Sequence, residues 1–307
     1  RQTYRMARKL TCKQISILLP VYNYVCISLV RELHQQVEVC GVDYEIIVAD
    51  DGSTDAAKID ANRCIGDIPH CTYIVREANA GRAAIRNFLA RSAVSEWLLF
   101  LDCDVELPDA DFIRRYVDAA GDDVIDGGVC TDGDAGRWRG NLRFAYERAS
   151  ESRHVAKERA AKPYRCFRTT NFMVRREVIL AYPFDERFRY YGYEDVLFGK
   201  RLKEEICAIR HIDNPVVILD MEPNDVFIEK TEEALRTLYM FRDELRGYSD
   251  LLDLAERLCR FIPGRSLRMF HGLAGPLLRR NLTGGHPNLK AFGLYRLGYY
   301  LSLTNKN

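Results

Sequence analysis

The sequence predicts an α/β fold, a mixed and mainly parallel sheet flanked by helices, followed by a helical C-terminal extension. Three observations predict it. Short apolar runs alternate with helix-length segments through the first third of the chain, the order of a parallel sheet layered with helices. The runs are continuous rather than alternating, as strands buried on both faces are. Each ends in something polar, and in open parallel sheets ligands bind beyond the carboxyl ends of the strands. Of the 307 residues 47% are apolar, enough for the core of one large domain with an appendage.

Taken in order, Ser16-Ile17-Leu18-Leu19-Pro20 and Glu45-Ile46-Ile47-Val48-Ala49 are the first two strands, with a helix over 26–40 between them. Ser53 or Thr54 is placed to cap a second helix. A strand over 72–75, a helix over 82–93 and a strand over 97–101 follow. Beyond Asp104 the pattern gives a helix over 109–120, a strand over 124–129 and a charged helix over 141–161. In that helix Arg143 and Glu147 stand one turn apart and read as a solvated face. A strand over 168–174 precedes a short helix, an aromatic and acidic stretch over 184–195, and a helix over 196–205. Phe227, Ala234, Leu235, Leu238, Phe241 and Leu245 recur at helical spacing in one long amphipathic helix, and Pro263-Gly264 marks a boundary. The expected division is a basic N-terminal segment 1–13, a main domain 14–245 and a basic helical extension 246–307.

Charge is distributed unevenly along the chain. Residues 1–13 hold five basic groups and no acid, Arg257 onward holds nine and no acid, and the middle carries 31 basic against all 44 acidic side chains. An acidic body does not gather a nucleic acid backbone, so no nucleic acid partner is expected, whereas the basic ends suit an anionic lipid surface. No run of eighteen apolar residues and no secretory signal is visible, and the ten cysteines show no zinc-like spacing. The expectation is a cytoplasmic protein with reduced thiols, peripheral on the inner face of the membrane through its extension.

Candidate chemistry lies at the strand ends. Asp102-Cys103-Asp104 follows the apolar run 97–101, and residues two apart in extended chain face the same side, so both carboxylates reach one divalent cation, Mn2+ or Mg2+. The plain alternative is a strand-to-loop turn. Asp50-Asp51-Gly52-Ser53-Thr54-Asp55 leaves the second strand, where a carboxylate can accept from the N3–H of a uracil; Asp-Gly-Ser is equally ordinary turn chemistry. Pro20-Val21-Tyr22-Asn23 ends the first strand in the same way. Tyr193-Glu194-Asp195 opens a helix, where an acid serves as a dipole partner or as a base on an acceptor hydroxyl.

Together with Asn79-Ala80-Gly81-Arg82, Arg86-Asn87 and Gly192-Tyr193-Glu194-Asp195, these segments resemble family 2 glycosyltransferases of the GT-A type over roughly residues 14–245. Phe184-Asp185-Glu186 before the Gly-Tyr-Glu-Asp run is similar to a variant common in bacterial surface-polysaccharide enzymes. The resemblance implies a Rossmann-like GT-A sheet whose nucleotide-binding half is about 14–105 and acceptor half about 106–245. It implies a nucleotide-sugar donor, usually a UDP-sugar, and inverting transfer to a saccharide or lipid-linked saccharide acceptor. Pro20, Tyr22, Asp51, Ser53, Asp102, Asp104 and Arg82 or Arg86 would then face the donor, with metal on Asp104 and Asp102. Asn171, Gly192, Tyr193 and Glu194 would line the sugar or acceptor pocket, and Asp195 would be the base.

One departure stands out. Related enzymes often carry a histidine a few residues after a segment like Asn214-Pro215-Val216-Val217, and here Ile218, Leu219 and Asp220 follow. Either Asp220 or His211 substitutes, or the metal has fewer protein ligands; the lone His211 reads as structural. The tail residues Leu289, Phe292, Leu294, Tyr295, Leu297, Tyr299, Tyr300 and Leu301, with Lys290 and Arg296, suit either a membrane interface or a lid packed on the core. Two rival functions remain. Leu101-Asp102-Cys103-Asp104-Val105 with Asp122, Asp123 and Asp126 mimics an aspartyl-phosphate phosphatase. A sugar-nucleotide binding module without catalysis is the other.

Overall fold

The structure, a computed structural model, describes residues 12–303 apart from 132, 135 and 220. Most of the basic N-terminal segment, and Asp220, lie outside the described residues. The first part runs β1 (Gln14–Val21), α1 (Ile27–Glu38), β2 (Asp43–Asp50), α2 (Ala56–Arg63), β3 (Cys71–Val75), α3 (Arg82–Ser92) and β4 (Trp97–Leu101). Then come β5 (Val105–Glu106), α4 (Phe112–Ala119), β6 (Val124–Asp126), β7 (Val129–Thr131), α5 (Leu142–Ser150), α6 (Ala156–Ala160), β8 (Asn171–Arg175) and α7 (Arg176–Ala181). The last part is α8 (Glu194–Glu204), β9 (Ile209–His211), β10 (Val216–Ile218), α9 (Asn224–Met240), α10 (Arg242–Leu245), α11 (Asp250–Phe261), α12 (Gly264–Leu282) and α13 (Leu289–Leu303).

Seven strands form the main sheet in the order β3-β2-β1-β4-β8-β6-β9. β1, β2, β3 and β4 run parallel; β8 is antiparallel to both β4 and β6, and β9 is parallel to β6. A small sheet, β5-β10-β7, sits beside it. Side chains alternate across the main sheet, as the two-residue period requires. Ile15, Ile17 and Leu19 pack with Leu29, Val30 and Leu33 of α1 and with Phe112 and Tyr116 of α4. Leu18, Leu98, Phe100 and Phe172 pack on the other side with Ile85 and Leu89 of α3, Val178 of α7 and Phe198 of α8. Both faces are covered, which is why the strands read as unbroken apolar runs.

Four local expectations change. The cap of α2 is Asp55, whose carboxylate accepts from the Ala57 and Lys58 amides, because Ser53 Oγ is taken by the Asn23 amide at 2.7 Å. The strand over 124–129 divides at Gly127-Gly128: Gly128, at φ +86°, turns the chain from the main sheet into the small one. The helix over 141–161 breaks into α5 and α6. Past that break Arg159 enters the interior, its Nη1 2.5 Å from Asp126 Oδ1 and its Nη2 bonded to the Gly127 and Ile212 carbonyls. The long helix ends at Met240, and the ring of Phe241 stacks on Phe188 at 3.9 Å.

The tail follows the packed alternative along α13. Phe292, Tyr295, Tyr300 and Leu301 are buried, Phe292 and Tyr295 with Ile228 of α9, and Tyr300 and Leu301 with Leu235 and Leu238. No described helix is long and apolar enough to cross a membrane. All ten cysteines are free thiols, and burial pushes those of Cys12 and Cys26 up to about 12.

Candidate active site

The carboxyl ends of β1, β2 and β4 lie along one edge of the sheet. β8 enters antiparallel, with Asn171 opposite Leu101, and therefore brings Thr169 and Thr170 to the same edge. The Asp102 amide donates to the Thr170 carbonyl at 2.9 Å, tying the two segments. Two hollows open there, of about 390 and 330 Å³. They meet at Arg82, Asp102, Asp104 and Tyr191, which border both; Asp51 borders only the first and Asp195 only the second.

Pro20 and Tyr22 line the first hollow with Asp51 and Asn79. The Asp51 carboxylate is buried and held by Arg76 at 2.7 Å and by the amides of Ala80 and Gly81 at 3.2 and 2.9 Å. Gly52 stands at φ +71°, and a Cβ there would lie 2.5 Å from the backbone of Ala78, so the loops after β2 and β3 touch directly. Ser53 does not line either hollow; besides receiving the Asn23 amide, its own amide donates to Asp50 Oδ1 at 2.7 Å, which locks the loop.

Between Arg82 and Arg86 of α3 the division of labour is clear. Arg82 is exposed and its guanidinium lies 4.7 Å from the Tyr191 ring centre, on the border of both hollows. Arg86 borders the first hollow yet is buried, with Nη2 2.8 Å from Asp102 Oδ1 and Nη1 3.5 Å from Glu194 Oε1. It ties the end of β4 to the start of α8. On the opposite wall, Lys230 of α9 faces the first hollow; its Nζ is 2.9 Å from Glu222 and 5.9 Å from the Tyr191 ring.

Burial, and next the charge of Asp102, raise the pKa of Asp104, against the pull of Arg82 and Arg143. Two hard oxygen donors that repel each other fit a divalent cation that takes its remaining ligands from phosphates and water. Among the described residues no cluster of three or more His, Cys, Asp and Glu side chains gathers as a metal cage. The chain after β10 does pass the acidic pair, since the Leu219 amide donates to the Asp104 carbonyl at 3.2 Å. His211 does not take part: its ring is wedged between Arg159 Nη1 at 2.8 Å and the Pro163 carbonyl at 3.0 Å. Burial, then Arg159, push its pKa down to about 4.

The second hollow holds Gly192, Tyr193, Glu194 and Asp195. Asp195 lies in the first turn of α8, where its Oδ1 accepts from the Val196 amide at 2.8 Å. Burial, then the neighbouring charge of Glu194, raise its pKa to about 6, with Val196, Arg168 and Arg86 pulling the other way. Asn171, expected in this pocket, lies beneath it instead. Its side chain accepts from the Tyr116 hydroxyl at 2.6 Å and donates to the Gly128 and Asn214 carbonyls, so it is a strut, and Thr169 and Thr170 face the hollow in its place.

Sequence reasoning passed over Arg143, Glu147 and Arg168. All three line the second hollow; Arg143 is ion-paired to Glu222, and Arg168 to Glu147 at 3.3 Å. The one signal was the Arg143–Glu147 spacing, which fits a solvated face as well. The phosphatase pattern does not converge on the cleft. Asp126 is buried against Arg159, and Asp123 accepts from the Ala208 amide.

A cleft at the strand ends of a mainly parallel sheet, with acidic pairs and cations on its walls, lies where open α/β folds bind their ligands. Residues 16–182, more than half of the chain, match Glycosyl transferase family 2, and the chain belongs to that family. It is 32% identical over 96 residues to an uncharacterized glycosyltransferase of Haemophilus influenzae, a match over 29% of this chain and 36% of that protein. The match thus spans about a third of that relative's length. In fold it is similar to the mannosyltransferase PcManGT of Pyrobaculum calidifontis, solved with GDP-Man and Mn2+ (TM-score 0.56, 15% identity, 97% of this chain and 89% of that one). S. aureus TarS, solved with UDP-GlcNAc, aligns at a TM-score of 0.49 and 15% identity over 95% of this chain and 91% of that one.

Proposed function

We propose that the chain is an inverting glycosyltransferase that moves a sugar from a nucleotide-sugar, a UDP-sugar, to a hydroxyl of a saccharide or lipid-linked saccharide in polysaccharide or glycolipid synthesis. The observation that carries this is the pair of hollows joined at Asp102, Asp104 and Arg82, with Asp195 confined to the second. Donor and acceptor then meet at the junction, and the base faces the acceptor alone. The nucleotide-binding half is about 14–105 and the acceptor half about 106–245. We further propose that the protein works at the cytoplasmic face of a membrane, where a lipid-linked acceptor would be presented.

In this mechanism Asp51 fixes the base of the nucleotide, and Arg82 and Lys230 face the negative charge that develops on the departing diphosphate. A Mn2+ or Mg2+ ion held by Asp104 and Asp102 would supply further neutralisation of that charge. Asp195 takes the acceptor proton from the side opposite the leaving group, which is what inversion demands, and Tyr193 and Tyr191 offer apolar faces to a sugar ring. Thr169 and Thr170 offer hydroxyls to the sugar's own. GDP-Man and Mn2+ on the mannosyltransferase of like fold accord with a nucleotide sugar and a divalent ion as the ligand classes.

The test is a panel of nucleotide sugars incubated with Mn2+ and the full chain, scored for release of the nucleoside diphosphate. One donor should be turned over, with the activity gone after chelation and in Asp104→Ala. Hydrolysis of a generic phosphomonoester that disappears in Asp102→Asn would return the phosphatase instead. Nucleotide binding with no turnover of any donor would leave a binding module.

A further inference from the structure

We propose that α12 is the face through which this protein lies on an anionic lipid bilayer. A helix on the outside of a water-facing fold ordinarily turns its polar side outward. This one does the reverse. Met269, Leu273 and Leu277, four residues apart on one face, are 66%, 73% and 71% exposed, and at the end of α11 Phe261 is 85% exposed. The opposite side of α12 is occupied by the fold: the His271 ring lies 5.7 Å from that of Tyr295 on α13, and Leu282 is buried. The stripe is therefore the outer surface of a docked helix.

Charge decides what covers it. From Arg257 to the end of the chain there are nine basic residues and no acidic one. Arg257 and Arg260 precede Phe261 by four residues and by one on α11 and are exposed; Arg280 is exposed three turns along from Met269, on the same side of α12. Apolar side chains rimmed by arginine are the make-up of a helix that rests in the headgroup layer. Anionic lipid supplies the opposite charge, whereas a second copy would set the same basic rim against itself. In sequence the residues of α13 suit either a membrane interface or a lid on the core; their aromatic side packs on α9, and the outward apolar stripe is on α12 instead. The proposal rests on the membrane placement proposed above and gives it a surface; it stands apart from the transferase chemistry, which uses none of these residues.

The experiment is co-sedimentation of the full chain with vesicles of phosphatidylcholine alone or mixed with phosphatidylglycerol. Wild type should bind only the mixed vesicles and release in high salt. The triple variant Met269→Ser, Leu273→Ser, Leu277→Ser should partition about tenfold more weakly or worse, and Arg280→Gln about fivefold more weakly. Val39→Ser with Val94→Ser, exposed apolar positions elsewhere, should bind as wild type does. All these side chains are exposed, so unchanged circular dichroism and unchanged donor turnover should accompany each. Failure of the wild type to sediment with the mixed vesicles overturns the proposal, as does equal sedimentation of the triple variant. A wild-type dimer in sedimentation velocity that the triple variant dissolves assigns the stripe to self-association and overturns it too.

Discussion

Arg86 and Asp102 form an ion pair at the floor of the cleft, 2.8 Å between Nη2 and Oδ1, with side-chain exposures of 2% and 20%. The same guanidinium reaches Glu194, next to Asp195, so one buried cation sets the spacing between the acidic pair and the start of α8. Removing it leaves carboxylates buried without a counter-charge. Arg86→Met is predicted to cost about 3–5 kcal/mol of stability, and Arg86→Lys less because it keeps the charge but loses the fork. Thermal denaturation checks this; an unchanged Tm in Arg86→Met would refute it.

Asp195→Asn is predicted to lower kcat by about 10²–10⁴ while nucleotide affinity stays near wild type. A carboxyl acts as a base only when ionised. With the Asp195 pKa raised to about 6, kcat/KM should be level above that pH and fall about tenfold per unit below it. A rate profile over pH 5–8 reads the limb, and a wild-type rate in Asp195→Asn would remove Asp195 from the mechanism.

Glu194→Gln withdraws the like charge that helps raise Asp195. The acid limb should therefore move to lower pH, since less repulsion favours the ionised base. A limb that stays in place would assign the shift to burial alone.

Lys230→Ala is predicted to weaken binding of a nucleoside diphosphate about ten- to hundredfold and to leave binding of the nucleoside alone unchanged, since loss of a charge-assisted contact costs about 1.5–3 kcal/mol. Titration calorimetry with UDP and uridine separates the two. Equal losses for both ligands would mean that the lysine shapes the wall instead of meeting phosphate.

Gly52→Ala is predicted to destabilise the fold by about 2 kcal/mol or more and to weaken nucleotide binding. The new methyl would carry a left-handed φ and strike the backbone of Ala78, which has no flexible end to yield. Chemical denaturation measures the first effect; wild-type stability would contradict the contact.

Much of the fold could be read before the structure, because β1, β2 and β4 are buried on both faces and so carry continuous apolar runs, with the acids of 50–51, 102–104 and 195 at element ends. What escaped depends on contacts between distant segments. Arg143 and Glu147 sit on a helix with the spacing of a solvated face, and only the fold shows that both line the second hollow, paired to Glu222 and to Arg168. Arg159 reads as one more surface arginine in sequence but is the buried partner of Asp126. Asn171 has the composition of a sugar ligand, yet three hydrogen bonds within the protein hold it below the surface. The Gly127-Gly128 pair was the visible hint that the strand over 124–129 bends away, since glycines inside a strand pattern often mark such a turn.

The cage around Asp51 is closed by the Arg76 guanidinium and the Ala80 and Gly81 amides, all from the short segment between β3 and α3. A ligand arriving at that wall has little chain to order, and its association can be governed by fit and desolvation with only a small conformational-entropy penalty. Under the proposed function, selectivity between nucleobases would rest on fixed shape at this end of the cleft.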